Sequence, residues 1–145
     1  MIERHDSVIV TTFVKALTPL AQLFALYVLA HGHYSPGGGF QGGVILAASY
    51  VLLALALGRE SLERRVNERV CIAVGAAGVL LYAATGLAPL VAGGNFLDYS
   101  HLPLPVSPVR ARYLGILFVE TGVMVAVAAT MVSLFCRLAE REPGA

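Results

Sequence analysis

Four long apolar stretches with short polar connections are the feature that most limits how this chain can fold. They run approximately over residues 8–30, 40–57, 70–91 and 109–135. A helix of about 20 residues crosses the hydrocarbon core of a bilayer, and each stretch is close to that length. Only 13% of the residues are charged, against about 25% in a typical soluble domain. We therefore expect one all-α domain over residues 1–145, an integral membrane bundle of four transmembrane helices.

The distribution of charge predicts how these helices are oriented. Basic residues near the ends of membrane helices favour the cytoplasmic side. They cluster at the two termini and in the connection between the second and third helices: Arg4, Arg59, Arg64, Arg65, Arg69, Arg137 and Arg141. The opposite side holds only Arg110 and Arg112. We predict that both termini are cytoplasmic and that the middle connection, which also carries three glutamates, forms a short helical extension.

Several functional classes receive no support from the sequence. The net charge of +1 is not the clustered basic surface that nucleic-acid binding requires, so we expect no nucleic-acid partner. The sequence contains no cofactor motif, nucleotide-binding loop or catalytic triad, so we expect no cofactor and no enzymatic activity of the chain by itself. Cys71 and Cys136 lie inside apolar stretches and are interpreted as packing residues.

A polar, glycine-rich segment over residues 31–43 separates the first two apolar stretches. Irregular backbone near a bilayer persists only at the water interface or under a cover of other protein. Two interpretations remain open: a tight interfacial turn that lets the second helix begin abruptly, or backbone groups that line a hydrated ion entrance. The residues assigned to this segment's structural role are Pro36, Gly37, Gly38, Gly39, Phe40, Gly42 and Gly43.

Two histidines, His31 and His33, belong to the same segment. Histidine exchanges protons near neutral pH, so both are candidates for a proton relay at the entrance of an ion path. A metal site is disfavoured because no third ligand is evident beside them, apart from His101 in the loop over residues 92–108. We expect this loop to lie extended over a partner subunit, with Asp98 as a turn cap.

Lys15 and Glu120 are the ionisable residues that fall clearly inside the apolar stretches. A charged side chain at the centre of a membrane helix costs about 2.5–3.5 kcal/mol on insertion scales. Lys15 lies roughly 10 Å into the first helix, so its long side chain either reaches back to the interface or belongs to the ion path. Glu120 lies roughly 16 Å into the fourth helix, near the expected midplane. It is a candidate proton carrier or cation ligand, or alternatively a clamp that joins two helices by hydrogen bonding.

Two of the predicted helices carry patterned faces. The first has a polar stripe, formed by Thr11, Lys15, Thr18 and Gln22. The fourth has a stripe of small residues, formed by Gly115, Gly122, Ala126, Ala129 and Ser133. Glu120 lies roughly 140–160° from that second stripe, and we expect another subunit to cover at least one of these two faces. If the first and fourth helices are neighbours, Lys15 and Glu120 lie at similar depth, and an ion pair between them is a hypothesis.

The glycine-rich segment and its continuation, residues 31–48, closely resemble the signature of the B subunit (the MrpB/MnhB family) of Mrp-type multisubunit cation/proton antiporters. Complex-I-related membrane-bound hydrogenases share this signature. Two later stretches agree with the family: residues 93–96, which precede a proline-broken loop, and residues 118–123 around Glu120. The resemblance spans nearly the whole chain, and the family position that corresponds to Glu120 is usually acidic.

This resemblance implies a small multi-pass subunit in a prokaryotic plasma membrane. Its implied partners are the other membrane subunits of an Mrp-like complex, Na⁺ or another monovalent cation, and H⁺. The chain would contribute to the ion path or brace it. Three alternatives remain open: the equivalent subunit of a complex-I-like hydrogenase or reductase, a purely structural scaffold, and a self-contained small transporter.

Overall fold

The computed structural model describes residues 7–32, 37–58, 62 and 66–140. Four α-helices account for most of them: α1 (Val8–His31), α2 (Gly39–Leu57), α3 (Glu68–Val91) and α4 (Pro108–Glu140). A short 3₁₀ helix, Tyr99–His101, lies in the connection between α3 and α4. All four α-helices are long and apolar enough to cross a membrane, and the described ranges contain no strand. The predicted all-α architecture with four membrane-length helices is confirmed.

The helix boundaries have local causes. Asn67 caps α3, since its side-chain oxygen accepts a hydrogen bond of 2.9 Å from the Arg69 N–H. Pro108 opens α4, where a missing N–H costs no hydrogen bond. Gly38, with φ 124°, precedes α2, and Gly58, with φ 85°, follows it. Backbone angles in this region favour glycine. The sequence predicts a short helix in the middle connection. Residues 59–61 and 63–65 of this connection lie outside the described ranges.

The helices do not pack in chain order. α1 packs on α2, α2 packs on α4, and α4 packs on α3, while α1 makes only slight contact with α4. α2 and α4 run parallel, because Gly39 contacts Glu120 and Gly43 contacts Met124 and Val127. α3 and α4 run antiparallel, and at one end of this pair Arg137 binds Glu68 with a distance of 2.7 Å. That end is called the Arg137 end below, and the opposite one the Tyr99 end.

The small stripe of α4 packs against α3. A Cβ atom added to Gly78 would stand 2.7 Å from the Gly122 carbonyl oxygen, and one added to Gly122 would stand 2.7 Å from the Gly78 oxygen. Small residues allow such close approach of two membrane helices. Within this chain, α3 packs on the small stripe and the junction of α1 with α2 packs on the Glu120 face, while contact of another subunit with either face stays a prediction.

A buried cluster of Ala47, Cys71 and Val132 joins α2, α3 and α4 nearer the Arg137 end. Cys136 packs against this cluster from the side, and Cys71 and Cys136 are not joined by a disulfide. Their interpretation as packing residues is confirmed.

The loop between α3 and α4 folds back onto this chain's own helices. The ring of Phe96 lies against Gly86 of α3, and the ring of Tyr99 lies against Gly115 of α4. Asp98 accepts hydrogen bonds from the N–H and the hydroxyl of Ser100, and it pairs with His101 Nδ1 at 2.8 Å. The role of Asp98 as a turn cap is therefore confirmed. The loop is not extended throughout, since its 3₁₀ helix packs on α4, and its contact with a partner subunit stays a prediction.

Candidate functional site

The carboxylate of Glu120 lies in the junction between α1 and α2. A Cβ atom added to Gly32, the residue after α1, would stand 2.5 Å from Glu120 Oε2 and 2.9 Å from Oε1. A Cβ atom added to Gly38, just before α2, would stand 3.1 Å from Oε1. The acidic residue and the glycine-rich segment, which lie about 80 residues apart in the sequence, thus form one site.

Three glycines of this segment are required for close backbone packing. A Cβ atom at Gly39 would overlap the carbonyl oxygen of Glu120 itself. At Gly42 it would stand 3.0 Å from the Ala25 carbonyl oxygen of α1, and at Gly43 it would stand 2.8 Å from the carbonyl oxygen of Met124 in α4. The absence of side chains at these three positions brings α1, α2 and α4 together around Glu120.

Two other residues assigned to the segment, Gly37 and Phe40, are not packed against Glu120. Gly37 is loosely packed, because a Cβ atom there would meet only the Val28 side chain at 3.3 Å and more distant atoms. The side chain of Phe40 is 63% exposed, so it does not plug the site. The ring of His31 stacks on Tyr27 with 4.1 Å between centroids, on the exposed surface of α1. His33 and Pro36 lie outside the described residues.

Glu120 Oε2 is buried and has no hydrogen-bond partner among the residues that the structure describes. A buried carboxylate oxygen without a partner is costly unless a proton, a cation or a water molecule binds to it. α1 ends beside this carboxylate, and α2 begins beside it without a side-chain cap at Gly38. The C-terminus of a helix favours a cation and the N-terminus favours an anion, as at the broken helices of transporters.

Glu120 lies level with the ends of α1 and α2 and within the length of α3. The ion pair of Arg137 is 17 residues further along α4, about 26 Å away at 1.5 Å per residue. α3 passes Gly122 at Tyr82 and continues to Val91, which is about 14 Å further. The junction of α1 with α2 is therefore recessed below the Tyr99 end of α3. The sequence predicts that Glu120 lies near the middle of the bundle. It lies well inside α4, but it lies at the ends of α1 and α2.

Tyr99 lies beside this site in the loop between α3 and α4, and its ring packs on α4 five residues before Glu120. A Cβ atom at Gly115 would stand 2.6 Å from Tyr99 Cδ1, so the ring lies directly on the α4 backbone. Burial raises the pKa of Tyr99, and the nearby Tyr82 and Glu120 act in the same direction. The sequence analysis did not single out Tyr99, and nothing in the loop sequence marks it beyond its place beside Asp98.

Lys15 belongs to a different part of the molecule. It precedes Gly32 by 17 residues of helix, about 25 Å along α1, and its side chain is exposed. The hypothesised ion pair of Lys15 with Glu120 does not form, because α1 passes Glu120 only at its C-terminal end. Among the predicted site residues, the structure brings Glu120 together with Gly38 and Gly39, and leaves Lys15 apart.

Comparison with known proteins agrees with this architecture. Residues 9–133 match the family described as a domain related to the MnhB subunit of Na⁺/H⁺ antiporter. The Na⁺/H⁺ antiporter B subunit of Bacillus subtilis is 30% identical over 142 residues, which cover 97% of this chain and 98% of that protein. The putative antiporter protein mnhB2 of Staphylococcus aureus strain Newman is 31% identical over 134 residues, or 86% of this chain and 93% of that protein. This multi-pass membrane chain therefore belongs to the MnhB family.

Proposed function

We propose that this chain is the B-type membrane subunit of a multisubunit Na⁺/H⁺ antiporter, and that Glu120 is a site on its ion path. The antiporter names of the two relatives support the first statement over an equivalent role in a hydrogenase or reductase. The buried, unpartnered Oε2 of Glu120 supports the second. The partners of the chain are then the other membrane subunits, and its substrates are Na⁺ and H⁺.

The chemistry of the site suits alternate binding of the two ions. Na⁺ is a hard cation that takes oxygen ligands, and the Glu120 carboxylate and the backbone carbonyls at the end of α1 supply oxygen atoms of this kind. A proton on the same carboxylate removes its charge and with it the attraction for Na⁺. Occupation by one ion therefore opposes occupation by the other, which is the requirement for exchange at a shared site.

The distribution of charge determines the proposed orientation. Because the basic residues cluster at the termini and in the middle connection, both termini face the cytoplasm of a prokaryotic cell. Glu120 and the junction of α1 with α2 are then nearer the outer surface of the plasma membrane than the inner one. Ions reach the site from that surface, past the loop that carries Tyr99.

The test compares Glu120→Gln with wild type in the complete complex. Na⁺-dependent proton movement is measured in everted membrane vesicles after a native gel has verified equal assembly. Loss of transport with normal assembly is expected, because an amide does not bind a proton near neutral pH and carries no negative charge to attract a cation. Glu68→Gln, which removes a carboxylate from the exposed ion pair at the Arg137 end, is the matched control and keeps transport.

The competing role is a scaffold, in which Glu120 only clamps α4 to the junction of α1 with α2. An amide preserves size and hydrogen bonding, so a scaffold retains both assembly and transport in Glu120→Gln. That outcome contradicts the ion-path proposal. Glu120→Asp supplies a second measurement, because it keeps the carboxylate but shortens the side chain by one methylene group.

A further inference from the structure

α1 has a polar flank beside its contact with α2, formed by Thr11, Lys15 and Gln22. The buried line of α1 consists of Val14, Thr18 and Ala25, which face α2. At 100° per residue, Lys15 lies about 80° around the helix from the centre of that line. Thr11 and Gln22 are half-buried and Lys15 is exposed. The predicted polar stripe thus runs along the edge of the packed interface, with only Thr18 inside it.

The hydroxyl of Thr18 has a hydrogen-bond partner within α1. It donates a hydrogen bond of 2.8 Å to the Val14 carbonyl oxygen, one turn earlier in α1. Lys15 has no such partner, since the structure gives it no ion pair or hydrogen bond with any residue in the described ranges. The flank therefore carries one positive charge that no acidic residue in the described ranges neutralises.

The surface of α1 around Lys15 is apolar in both directions along the helix. Towards the Arg137 end, Val8 is 77% exposed, and towards the Tyr99 end, Leu26 is 54% exposed. Each of the two lies only about 20° around the helix from Lys15. An ammonium group inside such an apolar surface is costly unless a negative charge faces it. A single uncompensated cation on a helix flank is complementary to a single carboxylate.

We propose that this polar flank of α1 docks a transmembrane helix of another subunit, which presents an Asp or Glu carboxylate to Lys15. The inference rests on the proposed membership in a multisubunit complex and does not depend on the role of Glu120. The flank is suited to a helix because its half-buried Thr11 and Gln22 offer hydrogen bonds on either side of the charge. The partner helix lies against α1 beside the α1–α2 interface, next to the buried line of α1.

Site-specific photocrosslinking in the assembled complex tests this docking. Leu26 and Phe24 are each 54% exposed and lie at nearly the same height, but about 160° apart around α1. Benzoylphenylalanine at position 26 is expected to crosslink a transmembrane helix that contains an acidic residue, identified by mass spectrometry of the product. Position 24, on the opposite face, is the matched control and is not expected to reach that helix. Crosslinking of position 26 to lipid alone, or of both positions to the same helix, overturns the proposal.

Charge exchange supplies the second measurement. Lys15→Glu places like charges together and is expected to lower the yield of assembled complex about tenfold or more, whereas Lys15→Arg keeps it. Changing the crosslinked acidic residue to Lys is expected to restore assembly of Lys15→Glu. Normal assembly of Lys15→Glu overturns the proposal, because it indicates that the ammonium only reaches lipid phosphates at the interface.

The outcomes separate this proposal from the proposed function. If Glu120→Gln loses transport while Lys15→Glu assembles normally, the ion-path role stands and the docking surface is wrong. If Lys15→Glu fails to assemble while Glu120→Gln transports normally, the docking surface stands and the ion-path role is wrong. A chain that assembles with no other membrane subunit contradicts both.

Discussion

Glu120 lies so close to Gly32 that a Cβ atom on the glycine would stand 2.5 Å from the carboxylate oxygen Oε2. The two residues belong to α4 and to the end of α1, two helices that otherwise make only slight contact. The carboxylate therefore occupies the space that a side chain at position 32 would take. This relationship links the acidic residue of the fourth helix to the glycine-rich segment between the first two.

Gly32→Ala is expected to lower ion transport and also to destabilise the junction of α1 with α2. The new methyl group displaces the carboxylate of Glu120, and it would stand 2.8 Å from the Gly38 Cα atom, a backbone atom that must shift as well. Its transport is lowered because the carboxylate no longer faces the end of α1. The measurement is Na⁺-dependent proton movement in vesicles that contain equal amounts of complex. Wild-type transport in this variant is incompatible with a functional contact between the two residues.

Gly39→Ala is expected to destabilise the packing of α2 on α4. Its methyl group overlaps the backbone carbonyl oxygen of Glu120, which is fixed within α4, and overpacking of this kind costs about 1–3 kcal/mol or more. Gly37→Ala is the matched control two residues earlier, because its nearest neighbour is a side-chain carbon of Val28 at 3.3 Å. Thermal unfolding of the purified complex distinguishes them. Equal unfolding temperatures for the two variants are evidence against the described contact.

Gly78→Ala and Gly75→Ala test the interface of α3 with α4 in the same manner. A Cβ atom at Gly78 would stand 2.7 Å from a backbone oxygen of Gly122, whereas one at Gly75 would meet only the Ala129 Cβ atom at 3.3 Å. We expect Gly78→Ala to lower the unfolding temperature and Gly75→Ala to change it little. A larger loss for Gly75→Ala contradicts this register of α3 against α4.

Ser100→Ala is expected to raise the pKa of Asp98 toward its ordinary value. The hydroxyl of Ser100 is the main cause that lowers the pKa of this carboxyl, with the Ser100 N–H and His101 acting in the same direction. A lowered pKa means that the carboxylate stabilises the loop at neutral pH, and that this contribution is lost as the pH falls through the folded-state value. Carboxyl ¹³C chemical shifts followed through an acid titration measure the change. An unchanged midpoint in Ser100→Ala argues against the hydrogen bonds described for this turn.

The four helices are predictable from the sequence because each is encoded locally. A bilayer requires about 20 apolar residues per helix, and the helices found, such as α1 over Val8–His31, begin and end within a few residues of the apolar stretches. The exception is the end of α4, which continues to Glu140 beyond the stretch predicted to end near residue 135. Arg137 in this extension forms the ion pair with Glu68, which the hydropathy pattern does not predict.

The packing order is not predictable from the same pattern. Hydropathy describes each helix by itself, and short connections favour neighbours in chain order. In the fold, α4 separates α2 from α3, and α1 lies at the edge of the bundle. Lys15 and Glu120 do not meet because α1 reaches Glu120 only at its C-terminal end, about 25 Å along the helix from Lys15, although counting residues from one membrane surface places the two at similar depth.

The sequence by itself determined that the chain has four helices long and apolar enough to cross a membrane, that Glu120 is an ionisable residue inside an apolar helix, and that the glycine-rich segment separates the first two helices. Each of these properties depends on residues that are close together in the chain. Only the tertiary structure decided that Glu120 and the segment form one site. The reason is that close approach of α4 to Gly32, Gly38 and Gly39 depends on how backbones from distant parts of the chain pack where side chains are missing.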